Sequence, residues 1–349
     1  MTQNSLIKGL SEKIINYKGK TIRIMEVCGT HTHENFRLGI RALLPPDIKL
    51  ISGPGCPVCV TPVSYIDEAI EIAKKGAVVC SFGDLLRVPG SDGSLSDLRA
   101  LGADIKVVYS PLDALRIAKE NSSKEVVFLS VGFETTTPIT CSAVKKAYIE
   151  NVGNFSLLTS NKTMPNVYEK LSDCADVFLY PGHVSAISGT ILYEELKGRG
   201  ISGVVAGFTA LELLSALVAI IKNSAKKKPF FMNCYPRVVS AGGNSAARDI
   251  TDEIMEQSDA VWRGLGNIEN SGLKIREKYS SMDARLRYKI GSTQNKEPSG
   301  CRCGDVLCGK IEPKECPLFE RYCTPEKPCG ACMVSGEGAC AAYYKYGEM

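Results

Sequence analysis

No stretch of this chain is apolar for long enough to span a bilayer. The most apolar run, Phe208 to Ile221, is fourteen residues long and carries Glu212, so it reads as a core helix where a membrane span needs about twenty apolar residues. The first twenty residues hold no apolar block of the kind a secretion signal requires. Leu6, Leu10 and Ile14 recur there at helical intervals and predict a short amphipathic helix. A cytoplasmic location with no membrane partner is the expectation. Basic clusters are equally scarce: the net charge is +4, and the longest Lys/Arg run, Lys226 to Lys228, reads as a solvated helix end. Nucleic acid is therefore not an expected partner. There is no Walker A sequence and no GxGxxG follows the first expected strand, so the classical nucleotide-binding signatures are missing where they would be needed, and there is neither a heptad run nor a strict internal repeat.

Cysteine is what the chain has in abundance, with fifteen in 349 residues. A reducing compartment does not sustain so many disulfides, so metal binding or thiol redox chemistry is the better account. Eight cysteines lie between Cys301 and Cys340, and three more sit in motifs around Cys28 and Cys56. Cys80, Cys141, Cys174 and Cys234 stand singly and read as small buried hydrophobes.

From residue 20 onward, short β-branched runs alternate with longer amphipathic ones, which predicts parallel sheets flanked by helices. Strands are expected at Thr21 to Val27, Lys49 to Ser52, Ala77 to Ser81, Ile105 to Tyr109, Glu125 to Val131, Phe155 to Thr159, Val177 to Tyr180 and Gly203 to Ala206. Helices are expected at Pro62 to Lys75, Pro111 to Glu120, Pro138 to Glu150 and Thr209 to Lys222, several opening on a proline that suits the first helical turn. That is more strand than one sheet of this length usually carries. The reading is two Rossmann-like α/β domains, 20–122 and 123–235, divided at Asn121-Ser122-Ser123. After residue 235 the strand signal fades, Asn244 to Gln257 and Ser271 to Arg287 read as helices, and a polar segment from Gly291 to Ser299 leads into the tail.

Each unusual motif directly follows an expected strand: CGTHTH (28 to 33), GPGCPVC (53 to 59), SFGD (81 to 84), GFETT (132 to 136) and PGHVS (181 to 185). Ligands of open α/β sheets bind at the carboxyl ends of strands, so these loops are expected to line one cleft. CGTHTH places a thiol and two imidazoles, Cys28, His31 and His33, together at an expected helix N-terminus. Such a position favours a thiolate and suits iron softened by cyanide and carbonyl. A structural role for the histidines stands beside that reading. In GPGCPVC, Cys56 and Cys59 take the CxxC spacing of dithiol redox sites and of zinc knuckles alike. GFETT fits either an anion cradle, with Glu134 as acid or base, or a tight strand-to-helix turn capped by threonine. Asp84, Glu134 and His183 are candidates for proton transfer or for hydrogen bonds to bound cyanide. In the tail, Cys303, Cys316, Cys323 and Cys340 form C-x12-C-x6-C-x16-C, enough to ligate a cubane cluster. Zinc ribbons are the alternative, although only Cys329 and Cys332 make a CxxC knuckle.

These ordered motifs, from CGTHTH to CMVSGEGACAAYYKY, resemble the HypD family of hydrogenase maturation factors over nearly the whole chain. The resemblance implies two similar α/β domains and a third, formed by residues 1–19 with 236–349, that holds a [4Fe-4S] cluster. It implies that Cys28 binds iron jointly with the N-terminal cysteine of a small HypC chaperone. Cys56 and Cys59 would be a redox-active pair, and cyanide would arrive from HypE, which carries it as a thiocyanate made with HypF. The product would be the Fe(CN)2CO group of nickel-iron hydrogenases, assembled on a monomer that associates with HypC and HypE. His183 and Glu337 match polar positions of the family motifs. Cys308 and Cys329 fall outside the family pattern, which leaves Cys301 and Cys332 as alternative cluster ligands. Two other functions compete: an iron-sulfur disulfide reductase using Cys56 and Cys59, and a zinc-stabilised interaction module.

Overall fold

The computed structural model describes residues 2–291 and 298–347; the polar segment expected from Gly291 to Ser299 falls mostly outside them. It is a mixed α/β structure with two parallel sheets. The first has the strand order β2-β1-β7-β8-β9 and the second β4-β3-β5-β6. In sequence these are β1 Ile22–Glu26, β2 Ile48–Ser52, β3 Val78–Ser81, β4 Ile105–Val107, β5 Val126–Gly132, β6 Phe155–Asn161, β7 Val177–Pro181, β8 Gly203–Ala206 and β9 Phe231–Asn233. All eight expected strands appear within a few residues of their expected bounds. β5 is buried along its whole length, which is why it reads VVFLSVG with no polar alternation: a parallel strand covered on both faces has no side turned to water. Helices form where capping is strong. Ser110 and Pro111 open Pro111–Glu120, and Thr209 with Glu212 makes a capping box on Ala210–Ser224.

The division at residue 122 is corrected by the pairing. β4 and β5, on its two sides, belong to one sheet, both bonded to β3. The chain leaves the first sheet after β2, builds the whole second sheet, and returns as β7 beside β1, with Ile24 opposite Val177. Strand-helix-strand alternation looks the same within a sheet as between sheets, and this return pairing is far from local. The amphipathic helix is α1, Gln3–Ile15. Its Ile14 packs with Leu213, Leu214 and Leu217 on the outer face of the first sheet, which corrects the expectation that it joins the tail. An apolar stripe docks on the broad apolar face available to it, and Ala210–Ser224 supplies one.

The region beyond residue 235 is corrected as well. Ser245–Ile254 is helical, but β10 Met255–Trp262 and β11 Gly266–Ile275 form an antiparallel hairpin, and Glu277–Met282 is a 3-10 turn. β10 reads MEQSDAVW, poor in β-branched residues, so its strand form comes from pairing and not from propensity. No helix among the described residues is long and apolar enough to cross a membrane.

Candidate thiol and metal site

β1 ends at Glu26, and after Val27 comes Cys28 as the extended N-cap of α2, Gly29–Arg37. Two glycines let other loops press on it. A Cβ on Gly55 would lie 2.4 Å from Cys28 Cα, and one on Gly29 would lie 2.6 Å from Glu337 Cβ. The GPGCPVC loop thus rests on the Cys28 backbone, and the tail closes over it from the other side. There the Thr30 hydroxyl donates to Glu337 Oε1 at 2.7 Å. Burial pushes the Cys28 thiol up to about 12; hydrogen bonds from the His31 and Thr30 backbone oppose this, and the Glu337 carboxylate reinforces it. The expectation of a thiolate is therefore corrected, because desolvation outweighs the helix N-terminus. Cys28 is held as a thiol, and would have to give up its proton to ligate a metal.

Cys56 and Cys59 are buried together and differ in acidity. The hydrogen bond with Cys59 pulls Cys56 down, and Ser335 adds to that; the same bond and burial push Cys59 well up. Cys56 is the thiolate-prone member of the pair. Cys59 in turn faces the tail: its Sγ is 3.8 Å from the Ala331 carbonyl oxygen, and Cys332 and Cys303 lie within electrostatic range of it.

Within the tail, Cys332 sits between Cys303 and Cys340, its sulfur 3.2 Å from that of Cys340. Hydrogen bonds from both pull it well below the usual thiol range, and the buried Arg263 guanidinium acts the same way. Cys301 borders this group through Cys332 and Cys316, while the Cys323 sulfur accepts the Cys329 backbone N–H at 3.2 Å. Cys308 lies elsewhere, beside Cys174. Among the described residues no three His, Cys, Asp or Glu side chains stand at metal-ligating separation. In kind and number the gathered thiols fit a cubane, which needs four thiolates in a largely apolar surround.

The two histidines of CGTHTH part company. His31 is fully buried, and its Nε2 donates to the Gly207 and Ala206 carbonyls at 3.0 and 3.3 Å. Burial pulls it to about 4, so it is neutral, and its Nδ1 has no partner among the described residues. His33 turns outward to the Tyr346 hydroxyl, 3.3 Å away. The expected pair of imidazoles beside Cys28 is corrected accordingly: α2 presents successive odd positions to different neighbours. His183 is exposed and stacks on Phe208 with ring centres 4.1 Å apart; Phe208 also contacts the His31 ring at 4.8 Å.

Asp84 and Glu134 make their bonds outside this group. Asp84 is half exposed and pairs loosely with Arg87 at 3.9 Å; Arg87 reaches the Val334 carbonyl, next to Ser335, at 3.1 Å. Glu134 is enclosed, with Oε1 accepting the Met164 N–H at 3.0 Å and Oε2 unpartnered among the described residues. Burial raises its pKa. The hydroxyls of Thr136 and Thr137 donate back to the Phe133 carbonyl, so GFETT is built as a tight strand-to-helix turn. Sequence reasoning passed over Arg263, Ser335 and Glu26. Glu26 alone had a signal, a carboxylate inside the apolar strand IRIME.

The comparisons with known proteins cover this whole arrangement. The family model described as "HypD: Hydrogenase formation hypA family" matches residues 4–347. The chain belongs to the HypD family. It is 43% identical over 352 residues to the hydrogenase maturation factor HypD of Rhodobacter capsulatus, covering 98% of this chain and 93% of the relative. To the protein of the same name from Escherichia coli K12 it is 43% identical over 336 residues, covering 94% and 90%. For that of Rhizobium leguminosarum bv. viciae the figures are 40% over 360 residues, 99% and 94%. Membership of the HypD family therefore extends over the strand-end motifs and the cysteine tail alike.

Proposed function

We propose that this HypD-family chain is a hydrogenase maturation factor on which iron, held by Cys28, receives the cyanide and carbonyl ligands of the Fe(CN)2CO group. A HypC-type chaperone contributes the second cysteine to that iron and a HypE-type protein, charged by HypF, delivers cyanide. One observation carries the reading: the iron-binding candidate Cys28 lies directly under the loop that holds an asymmetric dithiol, Cys56 lowered and Cys59 raised.

That asymmetry suits reductive release of cyanide from a carrier thiocyanate. The two thiols of Cys56 and Cys59 become a disulfide, the carrier S–C bond breaks, and the products are carrier thiol and hydrogen cyanide, so two electrons and two protons pass from dithiol to carrier. Cyanide is freed beside Cys28, where deprotonation of the thiol on ligating iron supplies the anchor. Cys332, thiolate-prone and within electrostatic range of Cys59, would open that disulfide by exchange, forming a Cys332–Cys59 disulfide and releasing Cys56 as thiolate. Cys303, Cys316, Cys323 and Cys340 would hold a [4Fe-4S] cluster, with Cys301 and Cys332 as alternatives, and such a cluster supplies reducing electrons. His31 fixes α2 to the end of β8, and Glu337 orients the Cys28 turn through Thr30.

Complementation tests this. In a host lacking its own HypD-family protein, the wild-type chain restores hydrogenase activity, whereas Cys28→Ala and Cys56→Ser each leave activity at background. Wild-type disulfide turnover by a purified chain that fails to restore hydrogenase, unchanged by Cys28→Ala, would move the function to disulfide reduction.

A further inference from the structure

We propose that a cavity at the carboxyl end of β6 is a binding site for a small oxyanion, anchored by Lys162. The cavity has a volume of about 220 Å³ and is lined by Ser160, Lys162, Tyr65, Glu68, Lys274 and Arg285. Lys162 is only 3% exposed. Its Nζ donates to Ser160 Oγ at 3.0 Å and stands 5.7 Å from the centre of the Trp262 ring. No carboxylate lies within ion-pair distance of it among the described residues, and a buried lysine without one is rare.

The other cations that line the cavity are already paired. Arg285 pairs with Glu68 at 2.8 Å, Lys274 with Glu256 at 3.1 Å, and Asp259 Oδ1 accepts the Asn270 N–H at 3.0 Å. Lys162 is therefore the lining cation without an ion pair among the described residues, while Asp259 is a lining carboxylate held only by a backbone N–H, and the Arg285 cation beside Lys162 adds repulsion where attraction is needed. Burial, with that repulsion second, pulls the amine down to about 7. A singly charged anion meets both demands: it neutralises the ammonium and accepts its remaining hydrogens. The volume lies below the roughly 300–1,000 Å³ of pockets for drug-sized ligands, so the ligand is of phosphate or carboxylate size and not a nucleotide. The position at a strand end of a parallel sheet is where α/β proteins bind ligands. This site is separate from the Cys28 group, although Trp262 stacks on Phe133 at 5.7 Å and the next residue, Arg263, donates its N–H to the Val60 carbonyl at 2.9 Å.

Trp262 is the single tryptophan of the chain, which gives the site its own reporter. Inorganic phosphate and, separately, acetate are titrated into the full-length wild-type protein at ionic strength held constant with sodium chloride, and Trp262 emission is followed. The expected result is a saturable change with one of the two, which also distinguishes phosphoryl from carboxylate ligands. Affinity should weaken roughly tenfold or more in Lys162→Met and in Lys162→Gln, as expected for loss of a charge-assisted bond. Absence of a saturable change with both anions in the wild type overturns the proposal, as does undiminished affinity in the folded variants.

Discussion

Glu26→Ala should cost about 3–5 kcal/mol of unfolding free energy, a third or more of what a domain of ordinary stability possesses. Glu26 is fully buried at the end of β1. It accepts from Thr32 Oγ1 at 3.0 Å and Asn35 Nδ2 at 2.6 Å, both on α2. It also pairs with the Arg41 guanidinium, which reaches on to the Leu50 carbonyl at 3.0 Å and the Tyr343 hydroxyl at 3.2 Å. One carboxylate thus ties the strand before Cys28, the helix after it, β2 and the tail helix Ala339–Tyr346. Its removal strands a buried guanidinium and two polar side chains, which is where most of the loss arises. Urea unfolding measures it. Glu26→Gln should lose less, since an amide oxygen still accepts, and the double variant Glu26→Leu/Arg41→Met should recover much of the stability because no charge is left unpaired. A loss below about 1 kcal/mol for Glu26→Ala would show that the network does not brace the Cys28 turn.

Lys162→Met should raise stability, an unusual direction for a change at a buried site. Burial in the folded protein brings this amine down to about 7 from the ordinary lysine value of 10.5. Between those values the unfolded chain binds a proton that the folded chain does not. Stability therefore falls as pH drops from 10.5 to 7, by about 1.4 kcal/mol for each of three and a half pH units, or about 5 kcal/mol in all. Methionine at this position removes that penalty and keeps an unbranched side chain one atom shorter than lysine. In buffer free of phosphate and carboxylate, the variant should exceed the wild type by several kcal/mol at pH 7, with the gap narrowing toward pH 10. A gap independent of pH, or a variant less stable than the wild type at pH 7, would contradict this.

Local signals carried much of the fold and the choice of loops. β-branched runs marked all eight expected strands, and prolines and capping residues marked the helices, because both are decided within a few residues. The partition into sheets was not legible. β7 joins β1 across a long sequence separation, and nothing local in IRIME or VFLYP distinguishes one sheet from the other. The hairpin from Met255 to Ile275 was missed because Glu, Gln, Ser and Asp fill β10, where pairing overrides propensity. At the site, spacing brought Cys28, Cys56 and Cys59 into view. It did not reveal that Glu337 of the tail packs on Gly29, or that Cys332 lies between Cys303 and Cys340. Nor did it foresee that burial drives Cys28 up, or that the hydrogen bond between Cys56 and Cys59 drives Cys59 up and draws Cys56 down. Those are consequences of which groups lose water, which only the packed structure decides.

Infrared spectroscopy tests the central claim most directly. The protein is purified without oxygen together with its HypC-type partner and scanned where metal-bound cyanide and carbonyl absorb. If Cys28 carries the iron during assembly, the wild-type complex shows bands of both ligands, and Cys28→Ala, still folded and still bound to its partner, shows none. Bands of equal strength in Cys28→Ala, or silence in a wild-type complex that supports hydrogenase maturation in the cell, would contradict it.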